Sequence, residues 1–106
     1  MTRTKTAAER IAEEVSLWPG VRARRGSRGE RAFDVAGVEI GHLHGDRVAH
    51  FGFPRELGAR LREQGRVGPH PVNRHSPKLA ARPLASEEDV REAIALMRIN
   101  YERLRR

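Results

Sequence analysis

Between Val21 and Phe53 the apolar residues recur at every second position, and turn signals interrupt the pattern three times. A period of two sends successive side chains to opposite faces of a sheet, and short turns make neighbouring strands antiparallel. Val21 and Ala23 alternate with arginines up to Gly26-Ser27-Arg28-Gly29. Phe33 and Val35 flank Asp34, and Ala36-Gly37 turns the chain. Val38, Ile40 and His42 then share one face of a third strand, and Arg47 to Phe53 returns. The stretch predicts a four-stranded antiparallel meander. A two-residue turn at Gly45-Asp46 would set His42 across from Ala49 and Ile40 across from Phe51. That register places His50 on the opposite face, with Leu43 and Val48.

Helical periodicity brackets the meander. Thr6 and Glu9 form a capping-box pattern ahead of Ala8, Ile11, Ala12 and Val15, with Trp18 continuing the stripe. This predicts a helix from about Ala7 to Leu17, ended by Pro19-Gly20. Pro54 suits the first position of a second helix, where its missing N–H costs nothing. Leu57 and Leu61 face inward there, and Gly65 is a natural stop. From Gly68-Pro69-His70-Pro71 onward the chain reads as an irregular loop. Lys78 to Leu84 reads as a fifth strand, with Pro83 marking an edge or a strand end. Ser86 caps the last helix, and Glu87, Glu88 and Asp89 complement its positive end. Val90, Ala93, Ile94, Met97, Tyr101 and Leu104 form its apolar stripe, and Arg103, Arg105 and Arg106 complement the negative end. The expectation is one α+β domain over residues 1–106, in the order α-β-β-β-β-α-β-α. Its antiparallel sheet has about five strands, the meander plus one, with helices packed on one face.

Composition narrows the chemistry. With 106 residues there is room for one core. No cysteine is present, which removes disulfides, thiol catalysis and cysteine-bound zinc. The charged start, MTRTKTAAERIAEE, has no apolar signal core, and no run approaches the roughly 18 apolar residues of a membrane span. A cytoplasmic protein that does not enter a membrane is expected. The formal net charge is +7, and all but two of the 21 basic residues are arginines. Arginine binds phosphates and carboxylates in bidentate fashion, so an anionic partner fits, although an arginine-rich coding bias fits equally.

Four segments, in this order, carry a family likeness. They are Trp18-Pro19-Gly20-Val21, Val38-Glu39-Ile40-Gly41-His42-Leu43-His44-Gly45-Asp46, Phe53-Pro54-Arg55-Glu56-Leu57, and Ser86-Glu87-Glu88-Asp89-Val90 with Leu96-Met97-Arg98 and Tyr101 beyond it. Over roughly residues 15 to 104 the chain resembles the luciferase-domain family of small, mostly uncharacterised proteins. Members often carry a Gly-Trp pair before the last strand, where this chain reads His75-Ser76-Pro77-Lys78-Leu79. More distantly the element order is similar to that of YjbR-like proteins, a likeness of fold that implies no activity.

Two residue groups are candidate sites. His42 and His44, two apart on a strand, point to one face, and with His70 from the loop they can line a small-ligand pocket. Two such histidines can ligate zinc or iron given a third ligand, for which Glu39 has the wrong parity and His70 or His75 is in reach. A hydrogen-bonded core position for His42 fits the same pattern, so neither metal ligands nor a cofactor are assigned. The second group is the hairpin with Arg22, Arg24, Arg25, Arg28 and Arg31, which can contact phosphates, or simply be a solvated edge that charge protects from aggregation. The serines lack a nucleophile elbow, and no phosphate-binding loop is present, so no catalytic residue is assigned. The expected function is a small non-catalytic binding or accessory module for an anionic partner such as nucleic acid. The alternative is a small-ligand or metal-dependent enzyme of the luciferase-domain family with a His-lined pocket.

Overall fold

The computed structural model describes residues 4–105, and Arg106 of the predicted C-terminal basic cluster lies outside them. Helix α1 spans Ala7–Val15, and Thr6 and Glu9 form the complete capping box. Asp46 adds a second cap, since its Oδ1 accepts the Ala8 N–H at 2.9 Å and ties the far hairpin to the helix start. Strands β1 (Val21–Arg25), β2 (Arg31–Val35), β3 (Val38–His44) and β4 (Val48–Gly52) form the meander. Helix α2 (Arg55–Glu63), the two-residue strand β5 (Gly68–Pro69), strand β6 (Leu79–Pro83) and helix α3 (Glu87–Leu104) complete the chain.

The sheet has six strands in the order β1-β2-β3-β4-β6-β5, and every pairing is antiparallel. The architecture is the expected α+β one, with a strand more than predicted. Part of the stretch read as irregular loop, Gly68–Pro69, pairs with β6 and takes the sheet edge. Pro83 accordingly ends a strand that is not an edge.

All three helices contribute to one apolar cluster, which includes Ile11, Val15, Phe33, Phe51, Leu61, Val90, Met97 and Tyr101. Fully burying a side chain of the leucine or phenylalanine class stabilises by about 1.5–3 kcal/mol, so this cluster supplies the main driving force for folding. Trp18 lies 5.2 Å from Tyr101, whose hydroxyl donates to the Pro19 carbonyl at 2.6 Å. Helix α2 sits so close to the loop before β6 that a Cβ on Gly58 would lie 1.8 Å from the Pro77 carbonyl oxygen. The Arg62 guanidinium donates to the Arg74, Ser76 and Leu79 carbonyls and holds that loop down.

Strand β3 contains an irregularity that sets the rest of the molecule. Phe33 pairs with Gly41, but Asp34 pairs with Glu39, which leaves Ile40 as the extra residue of a bulge. Ile40 and the following Gly41 both face the helices. Ile40 is fully buried, and a Cβ on Gly41 would stand 3.1 Å from the Met97 Cε. The buried Asn100 of α3 holds the bulge, its Nδ2 donating to the Ile40 carbonyl at 3.2 Å and to the Gly52 carbonyl at 2.9 Å. The expectation that His42 shares a face with Val38 and Ile40 is therefore corrected. One extra residue reverses the alternation, and His42 points away from the core.

Candidate metal centre on the helix-free face of the sheet

A second register change completes the site. The β3–β4 connection takes three residues, Gly45, Asp46 and Arg47, so His44 pairs with Val48 and His42 with His50. The predicted pairing of His42 with Ala49 is overturned, as is the placing of His50 beside Leu43 and Val48. Leu43 and Ala49 face the core, and His50 lies on the same face as His42 and His44. One row across the sheet now runs Arg24, Ala32, His42, His50, Ala81, Gly68.

The imidazoles converge. Ring centroids are 4.9 Å apart for His42 and His44, 5.2 Å for His42 and His50, and 4.7 Å for His44 and His50. One ring nitrogen from each of the three lies within 4.8 Å of the other two. Three nitrogens sharing a tetrahedral ion at about 2.1 Å stand roughly 3.4 Å apart, so small side-chain rotations close the set. His70, carried just past β5, stacks against His50 with centroids 4.3 Å apart. Its Nδ1 accepts the Val72 N–H at 3.1 Å, which places the proton of the neutral ring on Nε2. His75 is exposed and makes no ring contact with the cluster.

The bulge also reverses Glu39, which the strict alternation had excluded. Its Oε2 lies 2.7 Å from the His42 Nδ1, so His42 donates from Nδ1 and keeps Nε2 free as a ligand. Arg24 holds this carboxylate in turn, with Nη2 3.2 Å from Glu39 Oε1 and Nε 2.7 Å from Asp34 Oδ2. Carboxylate, imidazole and supporting guanidinium form the layered arrangement that fixes a metal-binding histidine in one tautomer. The protonation states suit the role. Burial, helped by the neighbouring His70, His42 and His44, pushes the His50 imidazole down from 6.5 to about 4. Burial also lowers His70, with His42 and His44 adding to it. His50 is thus neutral at pH 7 and has no proton to surrender to an ion.

The family model described as the luciferase domain matches residues 37–100. The chain belongs to the luciferase-domain family. No curated protein and no solved structure matches it. The matched segment of this luciferase-domain chain begins at Gly37 and includes Glu39, His42, His44, His50 and His70, while Arg24 and Asp34 lie ahead of it.

The arginine hairpin is less unified than its sequence suggests. Arg22 and Arg24 lie on the histidine face, whereas Arg25 and Arg31 pair with each other on the helix side. Arg24 is engaged by Asp34 and Glu39, and Arg25 Nη1 donates to the Gly29 carbonyl at 2.9 Å. Arg28 sits in the β1–β2 turn. His50 and Glu39 are the site residues that strict alternation missed. A Gly-Asp pair is compatible with loops of two or three residues, so only the turn length could have revealed His50.

Among the described residues, no helix is long and apolar enough to cross a membrane.

Proposed function

We propose that this luciferase-domain chain binds one divalent first-row transition-metal ion through His42, His44 and His50 and presents it to a small ligand, as a metal-dependent enzyme does. The observation that carries the reading is the convergence of three imidazole nitrogens on one sheet face, one of them oriented by a carboxylate. All-imidazole sites suit zinc, copper, iron and nickel, and three protein ligands leave a coordination position open for substrate. The net supply of energy at the sheet supports this too. Three half-buried or buried histidines in contact contribute little to folding, whereas apolar residues at those positions would bury surface to advantage.

Titration of the metal-free protein with cobalt(II), followed by visible absorption and by elemental analysis, tests the proposal. One equivalent with intense bands of tetrahedral type is expected, and His42→Ala, His44→Ala and His50→Ala should each weaken binding by about 100-fold or more. Substoichiometric metal in the wild-type protein, or unchanged affinity in all three variants, would overturn it.

A second reading is the accessory module that contacts nucleic acid or another polyanion. It is supported by Arg22, Arg25, Arg28 and Arg31, none of which has a carboxylate partner within ion-pair distance among the described residues. The division of these residues between two faces and a turn counts against it, because a polyanion needs charges along one track.

A further inference from the structure

Beside the histidine cluster, two separate turns bring two arginines to one cavity. The cavity, about 230 Å³, is lined by Arg28, Gly29, Glu30, His44, Gly45 and Arg47. Arg28 belongs to the β1–β2 turn and Arg47 to the β3–β4 turn, so only the paired meander makes them neighbours. His44 is shared, which places this cavity beside the histidine cluster.

The charges here are not neutralised in the usual way. Arg10, Arg24, Arg66, Arg82 and Arg98 each meet a carboxylate within ion-pair distance, but Arg28 and Arg47 meet none among the described residues. The carboxylate next to Arg47, Asp46, is turned away to the start of α1. The carboxyl of Glu30, in the cavity wall, is held below the usual range first by its own backbone N–H and then by that of Arg28, which it accepts at 2.9 Å. Two arginines against one glutamate leave an excess of positive charge around the cavity, and a divalent ion at the histidines would add to it. Such a pocket selects an oxyanion, and arginine's planar fork matches carboxylate and phosphate in bidentate fashion.

We infer that the substrate of this site is a small anion, its carboxylate or phosphate held by Arg28 and Arg47 and its remaining part directed toward His44. The inference rests on the metal-site reading for the role of the bound molecule, but the anion subsite itself can be tested without metal.

Backbone amide chemical shifts of the protein should be followed during titration with acetate, methyl phosphate and neutral acetamide, first metal-free and then loaded with zinc. Saturable shifts centred on Gly29 and Gly45 are expected for at least one of the two anions, with the tighter one identifying the group recognised, and none for acetamide. Loading should tighten anion binding by about 10-fold. The Arg28→Ala/Arg47→Ala double variant should weaken it by about 10-fold or more, while zinc affinity stays within about 2-fold of wild type. Anion binding at Gly29 and Gly45 in a protein that takes up no zinc would retain the subsite and discard the metal centre. Zinc uptake without saturable anion shifts, equal response to acetamide, or an unaltered double variant would overturn the subsite alone.

Discussion

The two faces of the sheet are built from the same strands and have opposite characters. On the helix side Phe33, Ile40, Leu43, Ala49 and Phe51 are nearly inaccessible and close against α1 and α3. On the other side Arg24, Asp34, Glu39, His42 and His44 remain in partial contact with solvent; ion pairs connect the first four, and His44 joins them through its ring contact with His42. The first face stabilises the fold. The second holds titratable groups close together.

The contrast can be broken at the point where the two faces meet. Asn100→Leu removes the donor to the Ile40 and Gly52 carbonyls and leaves both without that partner, at a cost of roughly 2–4 kcal/mol by chemical denaturation. If the bulge sets the direction of His42, the same variant should also lose metal affinity at temperatures where it remains folded. Full affinity in a destabilised protein would separate the bulge from the site.

A smaller effect should appear with pH. His50 is 7% exposed and faces His42, His44 and His70, with Glu39 nearby opposing their effect. Its folded-state value of about 4 lies below the 6.5 expected when unfolded. Above pH 6.5 the imidazole is neutral in both states and stability does not respond. Between pH 6.5 and 4 the unfolded chain takes up a proton that the folded chain refuses, so the metal-free protein loses stability as pH falls, and the loss levels off below 4. The loss attributable to His50 is about 3 kcal/mol. Comparing wild type with His50→Leu isolates it, and parallel pH profiles for the two would show that His50 is not held neutral by its surroundings.

The smallest change sharpens the comparison most. Glu39→Gln keeps the size of the side chain but removes the charge that orients His42. Metal affinity should fall by about 10-fold, whereas the unfolding midpoint should hardly move, since exposed pairs of this kind contribute on the order of 1 kcal/mol or less. A large drop in the midpoint with unchanged affinity would make Glu39 a structural residue.

Much of the architecture was legible in the chain itself. Thr6 and Glu9, Ser86 with its acidic first turn, and the stripe from Val90 to Leu104 mark helices through local capping and periodicity, which need no tertiary context. The alternation from Val21 to Phe53 marks the meander for the same reason. The sequence also pointed to His42, His44 and His70 as one group. It misplaced His50 and excluded Glu39, because both depend on counting residues across irregularities. Strand β5 was missed because two residues, one of them proline, carry no periodic signal.

Composition and period thus settle that this chain forms an antiparallel sheet sealed on one side by helices. The tertiary structure alone decided what the other side presents. Ile40 and Leu43 are both apolar, so the pattern of residues cannot say where the alternation slips between them. The slip occurs at Ile40, where Asn100 bonds the displaced carbonyl and Gly41 makes room for Met97. With a three-residue turn following it, that one inserted residue brings Glu39, His42, His44 and His50 together, because in a strand a shift of one exchanges the two faces.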